Sequence, residues 1–129
     1  MRFTPWAALL GFIGVALGAF GAHALKKHVE PSDLVVWATA VKYQFVHVLA
    51  LIGVDTALWV ARDMGNDNAR GPLGVAGIAF IVGIVLFSGS LYALVGTGVR
   101  KLGMVTPLGG LSFLVGWAAL GWATWKMRA

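Results

Sequence analysis

Uninterrupted apolar runs limit what this chain can fold into. Three stretches of 23 residues or more carry no formal charge: Phe3–Leu25, Gly71–Val99 and Leu102–Trp125. A fourth run, Tyr43–Ala61, contains one acid, Asp55. A bilayer core about 30 Å thick needs roughly 20 apolar residues per helical crossing. The pattern therefore predicts an all-α, polytopic membrane protein with four transmembrane helices.

The four runs predict a single membrane domain over residues 1–129. Thr4-Pro5 is typical of a helix start, because the hydroxyl can cap the helix and proline at its first position loses no hydrogen bond. Gly71-Pro72 similarly predicts the start of the third span. The loops are short, so we expect a compact bundle. The expected spans are about 5–25, 43–61 with an interfacial lead-in at 33–42, 72–97 and 106–125.

Composition excludes several classes of protein. Of the 129 residues, 59% are hydrophobic and 12% charged, whereas a soluble domain averages about 25% charged residues. The net charge of +5 could suit a nucleic-acid partner, but the Lys and Arg residues lie between the apolar runs or at the ends and form no single patch. We expect membrane lipids as partners and no nucleic acid. The absence of cysteine excludes disulfides and thiolate catalysis.

Four crossings place both termini at the same membrane face, called side A here; the opposite face is side B. Aromatic residues concentrate at membrane interfaces, and they lie near the expected span ends: Trp6, Trp59, Trp122 and Trp125 at side A, with Trp37, Tyr43 and Tyr92 at side B. Basic residues divide equally between the sides. From the amino terminus alone, we expect a multi-pass inner-membrane protein with side A in the cytoplasm.

The first apolar run has an alternative interpretation as a cleaved signal peptide. Ala22-His23-Ala24 fits an A-x-A cleavage site. The apolar run is longer than the 7–15 residues usual for such a signal. We therefore expect this segment to remain as the first span.

Glycine is abundant, with 18 residues that lie mostly inside the expected spans. Small residues allow helix backbones to approach closely in lipid, where apolar burial gives no drive for helix association. These faces can pack the bundle internally or bind a partner subunit. The predicted helix-packing residues are Gly14, Gly18, Ala22, Gly89, Gly109, Gly110 and Gly116.

Asp55 is the most costly residue inside a span, at about 3 kcal/mol near a helix centre. It precedes Arg62 by seven residues, so both side chains can share a helix face. One interpretation is an ion pair with Arg62 or another cation of side A. The other is a proton or ion relay, to which His47, eight residues earlier, could contribute.

His23 and His47 are expected at matched depths near side B on neighbouring helices. They could form interhelical hydrogen bonds, or ligate a haem or a metal. No HxxxH pattern or His–carboxylate cluster supports ligation, and we predict no cofactor and no metal. Ser88 and Ser90 lack a nearby base. Because no nucleophile is paired with a base, we expect no enzyme activity.

Several ordered motifs resemble a known family of small membrane proteins. They are Gly18–Lys26, Trp37–Gln44 followed by His47, Phe87–Tyr92, Thr106–Gly110 and Gly116-Trp117. Over about residues 7–122 the chain resembles the family called domain of unknown function 423, and also its eukaryotic relatives, the transmembrane-protein-256-like proteins. The resemblance implies four spans and no established reaction, substrate or cofactor. It also implies that the family's polar positions are His23, Tyr43, His47, Ser88, Ser90 and Tyr92.

Three hypotheses about function follow from the sequence. The first is a structural or accessory subunit that packs against a larger membrane complex, or against copies of itself. The second is a small transporter or proton pathway that uses Asp55 and His47, with Ser88 and Ser90. The third is a haem- or metal-binding bundle with His23 and His47 as ligands.

Overall fold

The computed structural model describes residues 2–128, and in this range the chain is helical and contains no strand. The first span is α1 and the second is α2. The third comprises α3, a π-helical segment and α4, and the fourth is α5. Their bounds are Thr4–His23 (α1), Pro31–Asp63 (α2), Asp67–Gly83 (α3), Ile84–Ser88 (π segment), Gly89–Thr97 (α4) and Thr106–Arg128 (α5).

The prediction of four membrane-spanning helices is confirmed. Each of the four segments is long and apolar enough to cross a bilayer. Two short 3₁₀ turns, Leu25–Lys27 and Arg100–Met104, lie in the connections at side B.

The second span is one continuous helix of 33 residues. At 1.5 Å per residue it is about 50 Å long, so it extends well beyond the hydrocarbon core. The expected lead-in at 33–42 forms its first turns. Trp37 in this segment is buried, and its indole Nε1–H donates to the carbonyl of Leu17 at 2.8 Å. The lead-in is thereby fixed to α1.

The third span begins earlier than Gly71-Pro72. Its first helix starts at Asp67, and Pro72 lies inside it. Asn66 is the N-cap, because its side-chain oxygen accepts from the backbone N–H of Ala69 at 3.3 Å. Asparagine is among the strongest N-cap residues, and it sets the start of this helix ahead of the proline.

The two middle spans form the centre of the bundle. α1 packs on α2, α2 packs on α3, and the most extensive contact joins α3 to α5. In the most apolar window of each span, 44% of the second and 39% of the third is buried, against 17% of the first and of the fourth. The outer spans therefore present most of their surface to the surroundings. Large members of the core are Phe3, Val48, Leu51, Val54, Leu73, Phe80, Ile84 and Phe113.

A close approach between two helix backbones lies at the π segment. A Cβ added to Gly109 would overlap the backbone nitrogen of Phe87. Interiors resist even one additional carbon where neighbours are rigid, and backbone cannot move aside as a flexible side chain can. Only glycine fits at position 109, so α5 lies directly against the π segment.

The predicted packing residues occupy different surroundings. Gly14 and Gly18 face side chains of α2, and Gly116 faces the ring of Phe80. By contrast, Ala22 is exposed, Gly110 has no atom near it, and the nearest atom to Gly89 belongs to its own helical segment. Two further glycines, Gly77 and Gly83, receive the rings of Phe3 and Phe113.

Candidate functional site

Asp55 is buried at the side-A end of the bundle, with 2% of its surface exposed. One carboxylate oxygen accepts from the backbone N–H of Arg2 at 2.9 Å. The other accepts from the N–H groups of Phe3 at 2.9 Å and Thr4 at 2.7 Å, and from the Thr4 hydroxyl at 2.7 Å. Asp55 therefore caps the start of α1 from a different helix.

This contact explains how the bundle holds a buried acid. A helix N-terminus presents unpaired N–H groups and a positive dipole end, both of which favour an anion. Phe3, the N-cap of α1, supplies no side-chain cap of its own. The expected ion pair with Arg62 is not formed: among residues 2–128, the salt bridges are Arg70–Asp67 and Arg100–Asp33. The N-terminus of α1 takes the place of a cation.

His47 is buried about two turns deeper, and both of its ring nitrogens are engaged. Nδ1 lies 2.7 Å from the carbonyl oxygen of Tyr43, and Nε2 accepts from the indole N–H of Trp117 at 3.1 Å. A carbonyl only accepts and an indole only donates, so the neutral imidazole protonated at Nδ1 satisfies both contacts. The ring stacks on Phe113 with centroids 3.5 Å apart.

The geometry does not bring His23 and His47 together. His47 faces α5 through Phe113 and Trp117, whereas His23, the last residue of α1, is exposed. Ligation by His47 would break its bond with Trp117. Among residues 2–128, no group of three or more His, Cys, Asp and Glu residues is placed to hold a metal.

Gln44 connects three spans. Its amide nitrogen donates to the carbonyl of Leu10 in α1 at 2.7 Å, and its amide oxygen accepts from the hydroxyl of Tyr92 in α4 at 2.7 Å. The ring of Tyr92 also packs against Trp37, with centroids 4.7 Å apart. One amide in α2 therefore fixes both neighbouring helices.

The two serines of the third span are also paired. Ser88, fully buried, donates to the carbonyl of Ala40 in α2 at 2.7 Å. Ser90 shares a hydrogen bond of 2.7 Å with the hydroxyl of Thr106 at the start of α5, and it donates to the carbonyl of Phe87. Neither serine contacts a base. Ser88 ties the π segment to α2, and Ser90 ties the start of α4 to the start of α5.

The buried polar side chains of the bundle have their hydrogen-bond partners within the protein. Among residues 2–128, no buried side-chain nitrogen or oxygen lacks a hydrogen-bond partner. Tyr43, one of the predicted positions, is 40% exposed; its backbone carbonyl accepts from His47, and its ring packs in a tilted arrangement against Phe87. The arrangement can hold helices in register, and within residues 2–128 it leaves no buried side-chain donor or acceptor unpaired for a ligand.

Sequence reasoning missed three contributors to these sites: Thr4, Gln44 and Trp117. Gln44 could have been found, because it is a polar residue in an apolar run and lies one helical turn from His47. Thr4 was recognised only as a cap for its own helix. Nothing in the sequence indicates that the Trp117 indole meets His47, since the two residues are 70 positions apart.

Fold and site together define a small polytopic membrane protein whose polar side chains bind its own helices to one another. The comparisons with known proteins identify the particular group. A model described as "Protein of unknown function (DUF423)" matches residues 17–110, and the chain belongs to this family. The resemblance recognised in the sequence is thereby confirmed.

The relatives are membrane proteins by name. The UPF0382 membrane protein of Haemophilus influenzae is 38% identical over 99% of this chain and 97% of its own length. UPF0382 membrane protein YwdK of Bacillus subtilis is 41% identical over 89% of each chain. UPF0382 inner membrane protein YgdD of Escherichia coli K12 is 40% identical over 89% of this chain and 82% of its own. No solved structure matches the chain.

Proposed function

We propose that this protein is a structural or accessory subunit that packs in the membrane plane against a larger complex. The observation that carries the proposal is an uncovered face of α5. Gly110, Leu114, Ala118 and Gly121 lie within one quarter of the helix circumference, and a Cβ added to either glycine meets no atom within 4 Å. Lipid contact requires only apolar surface, whereas small residues permit close helix contact.

The internal polar contacts support the same proposal. Histidine, glutamine, serine and tyrosine side chains form hydrogen bonds within the bundle. Few polar side chains are therefore free to bind a substrate or take part in catalysis. We propose accordingly that the protein is not an enzyme. We also propose the inner membrane as its location, supported by the name of the E. coli relative, with both termini in the cytoplasm. Reporter fusions at the C-terminus test this orientation.

Replacement of Gly121 by leucine tests the docking face. Gly121→Leu is expected to remove the protein from its assembly, because the added side chain prevents close approach of a partner helix. Assembly size is measured by native electrophoresis of membranes solubilised in mild detergent. Gly53→Leu is the matched control, since Gly53 on α2 is also uncovered. A wild-type protein that migrates as a bare monomer, without any co-purifying chain, contradicts the proposal.

The composition of the assembly distinguishes two kinds of partner, a different membrane protein and further copies of this chain. Co-purification of a different membrane protein supports the accessory role, whereas an assembly of this chain alone identifies a homo-oligomer. The transport hypothesis has its own measurement, ion or proton flux in reconstituted vesicles. Flux through the wild-type protein that is lost in Asp55→Asn would favour a pathway over the accessory role.

A further inference from the structure

A cavity of about 450 Å³ opens at side A, beside the Asp55 contact. Three arginines from separate elements line it: Arg2 precedes α1, Arg62 lies at the end of α2, and Arg70 lies in the first turns of α3. The volume falls within the range of about 300–1,000 Å³ typical of ligand pockets. The fold therefore gathers three guanidinium groups that are far apart in the sequence.

The cavity also contains two acids, but both are already paired. Asp55 accepts its hydrogen bonds from the N-terminus of α1, and Asp67 pairs with Arg70 at 2.6 Å. Among residues 2–128, the guanidinium groups of Arg2 and Arg62 form no salt bridge. Arg2 lies over the ring of Phe3, 5.4 Å from its centroid. Two arginines thus have no anionic partner among the residues that the structure describes.

Apolar surface continues from this cavity along the third span. Gly71 lines the cavity, and Val75 and Ile78 follow at helical spacing on the same face. Both are half exposed, at 50% and 51%. At the rim, Trp59 is 63% exposed, as expected for an aromatic residue at headgroup depth. A positively charged cavity beside an exposed apolar surface is complementary to an amphiphile with an anionic headgroup.

We propose that this cavity binds the phosphate headgroup of an anionic phospholipid, with its acyl chains along Val75 and Ile78. Arginine suits this ligand because its planar fork donates two hydrogen bonds to one phosphate. Basic pockets between spans are established binding sites for anionic headgroups. The site is separate from the α5 docking face, so a result that refutes one proposal leaves the other unaffected.

Phosphatidylglycerol is a suitable probe, titrated into the purified full-length protein in detergent and followed by native mass spectrometry. Arg62→Gln is expected to weaken its binding about fivefold, and the Arg2→Gln/Arg62→Gln variant about 25-fold, since each basic residue near a membrane surface contributes about 1 kcal/mol. Arg128→Gln is the matched control, because Arg128 is an exposed arginine at the same membrane face and does not line the cavity. Arg62→Lys should bind more tightly than Arg62→Gln but less tightly than wild type, because lysine keeps the charge and loses the bidentate fork.

Four results would overturn the proposal. Phosphatidylcholine bound as tightly as phosphatidylglycerol would show that charge is not recognised. Equal losses in Arg62→Gln and Arg128→Gln would reduce the effect to net charge. Displacement of the lipid by millimolar inorganic phosphate would identify a site for soluble anions. Thermal unfolding of each variant shows whether it is folded, and a folded Arg62→Gln that binds like wild type would also refute the site.

Discussion

Asp55 and His47 lie in the same helix, two turns apart, and the bundle accommodates them in different ways. Asp55 is charged, and its partner is the start of another helix, where backbone N–H groups converge. His47 is neutral and needs only one carbonyl and one indole. The difference shows that a buried charge requires an oriented set of donors, whereas a neutral imidazole is satisfied by one acceptor and one donor.

The largest expected effect is at Asp55. Asp55→Ala leaves several N–H groups of α1 without an acceptor, and we expect the free energy of unfolding in detergent to fall by about 3 kcal/mol. Amide hydrogen exchange at the start of α1 should accelerate. Asp63→Ala, an exposed acid at the end of the same helix, should change stability by less than about 0.5 kcal/mol. Equal effects would mean that the cap contributes little.

Packing between α5 and the π segment can be tested at Gly109. Gly109→Ala drives a Cβ into the backbone of Phe87, and we expect a loss of about 2 kcal/mol in the free energy of unfolding. Gly110→Ala adds the same methyl group where no atom is close and should be neutral. If the two variants are equally stable, the backbone contact at the π segment does not determine the position of α5.

The neutral contacts should each be worth less. A double-mutant cycle with Gln44→Leu and Tyr92→Phe measures the coupling between the amide oxygen and the hydroxyl. We expect about 1 kcal/mol, near the upper part of the range for hydrogen bonds within membranes. A coupling near zero would place Tyr92 in the bundle for its ring contact with Trp37 alone.

The smallest expected effect is at the histidine. Trp117→Phe removes the donor to Nε2 while keeping an aromatic ring, and we expect a loss of about 0.6 kcal/mol. Trp125→Phe, at an exposed position in the same helix, serves as control. Absorption spectra of the wild-type protein, expressed with excess haem, provide a related measurement: a Soret band that disappears in His47→Phe would contradict the structural role of this histidine.

The starts of the spans could be predicted from sequence to different extents. The Thr4-Pro5 motif lies at the start of α1, and α5 begins at Thr106, where the fourth span is expected to start. At the third span, however, the proline motif pointed to Gly71, whereas Asn66 caps the helix. Both residues are plausible helix-start signals, and a local rule does not rank them.

Glycine faces were harder to interpret. Gly14, Gly109 and Gly116 meet another helix, but Gly110 does not. A row of small residues shows that a close contact is possible on that side of the helix. Which glycine is used depends on the rotation of the helix about its axis, and packing against the whole bundle sets that rotation.

The sequence by itself determined that this is a four-span membrane protein, because hydropathy is summed along the chain and the bilayer fixes the length required of each helix. Only the tertiary structure decided the partner of each polar group: the α1 start for Asp55, Trp117 for His47, and Leu10 with Tyr92 for Gln44. Hydrogen bonds act over about 3 Å, so partners distant in sequence are fixed only when the helices assemble.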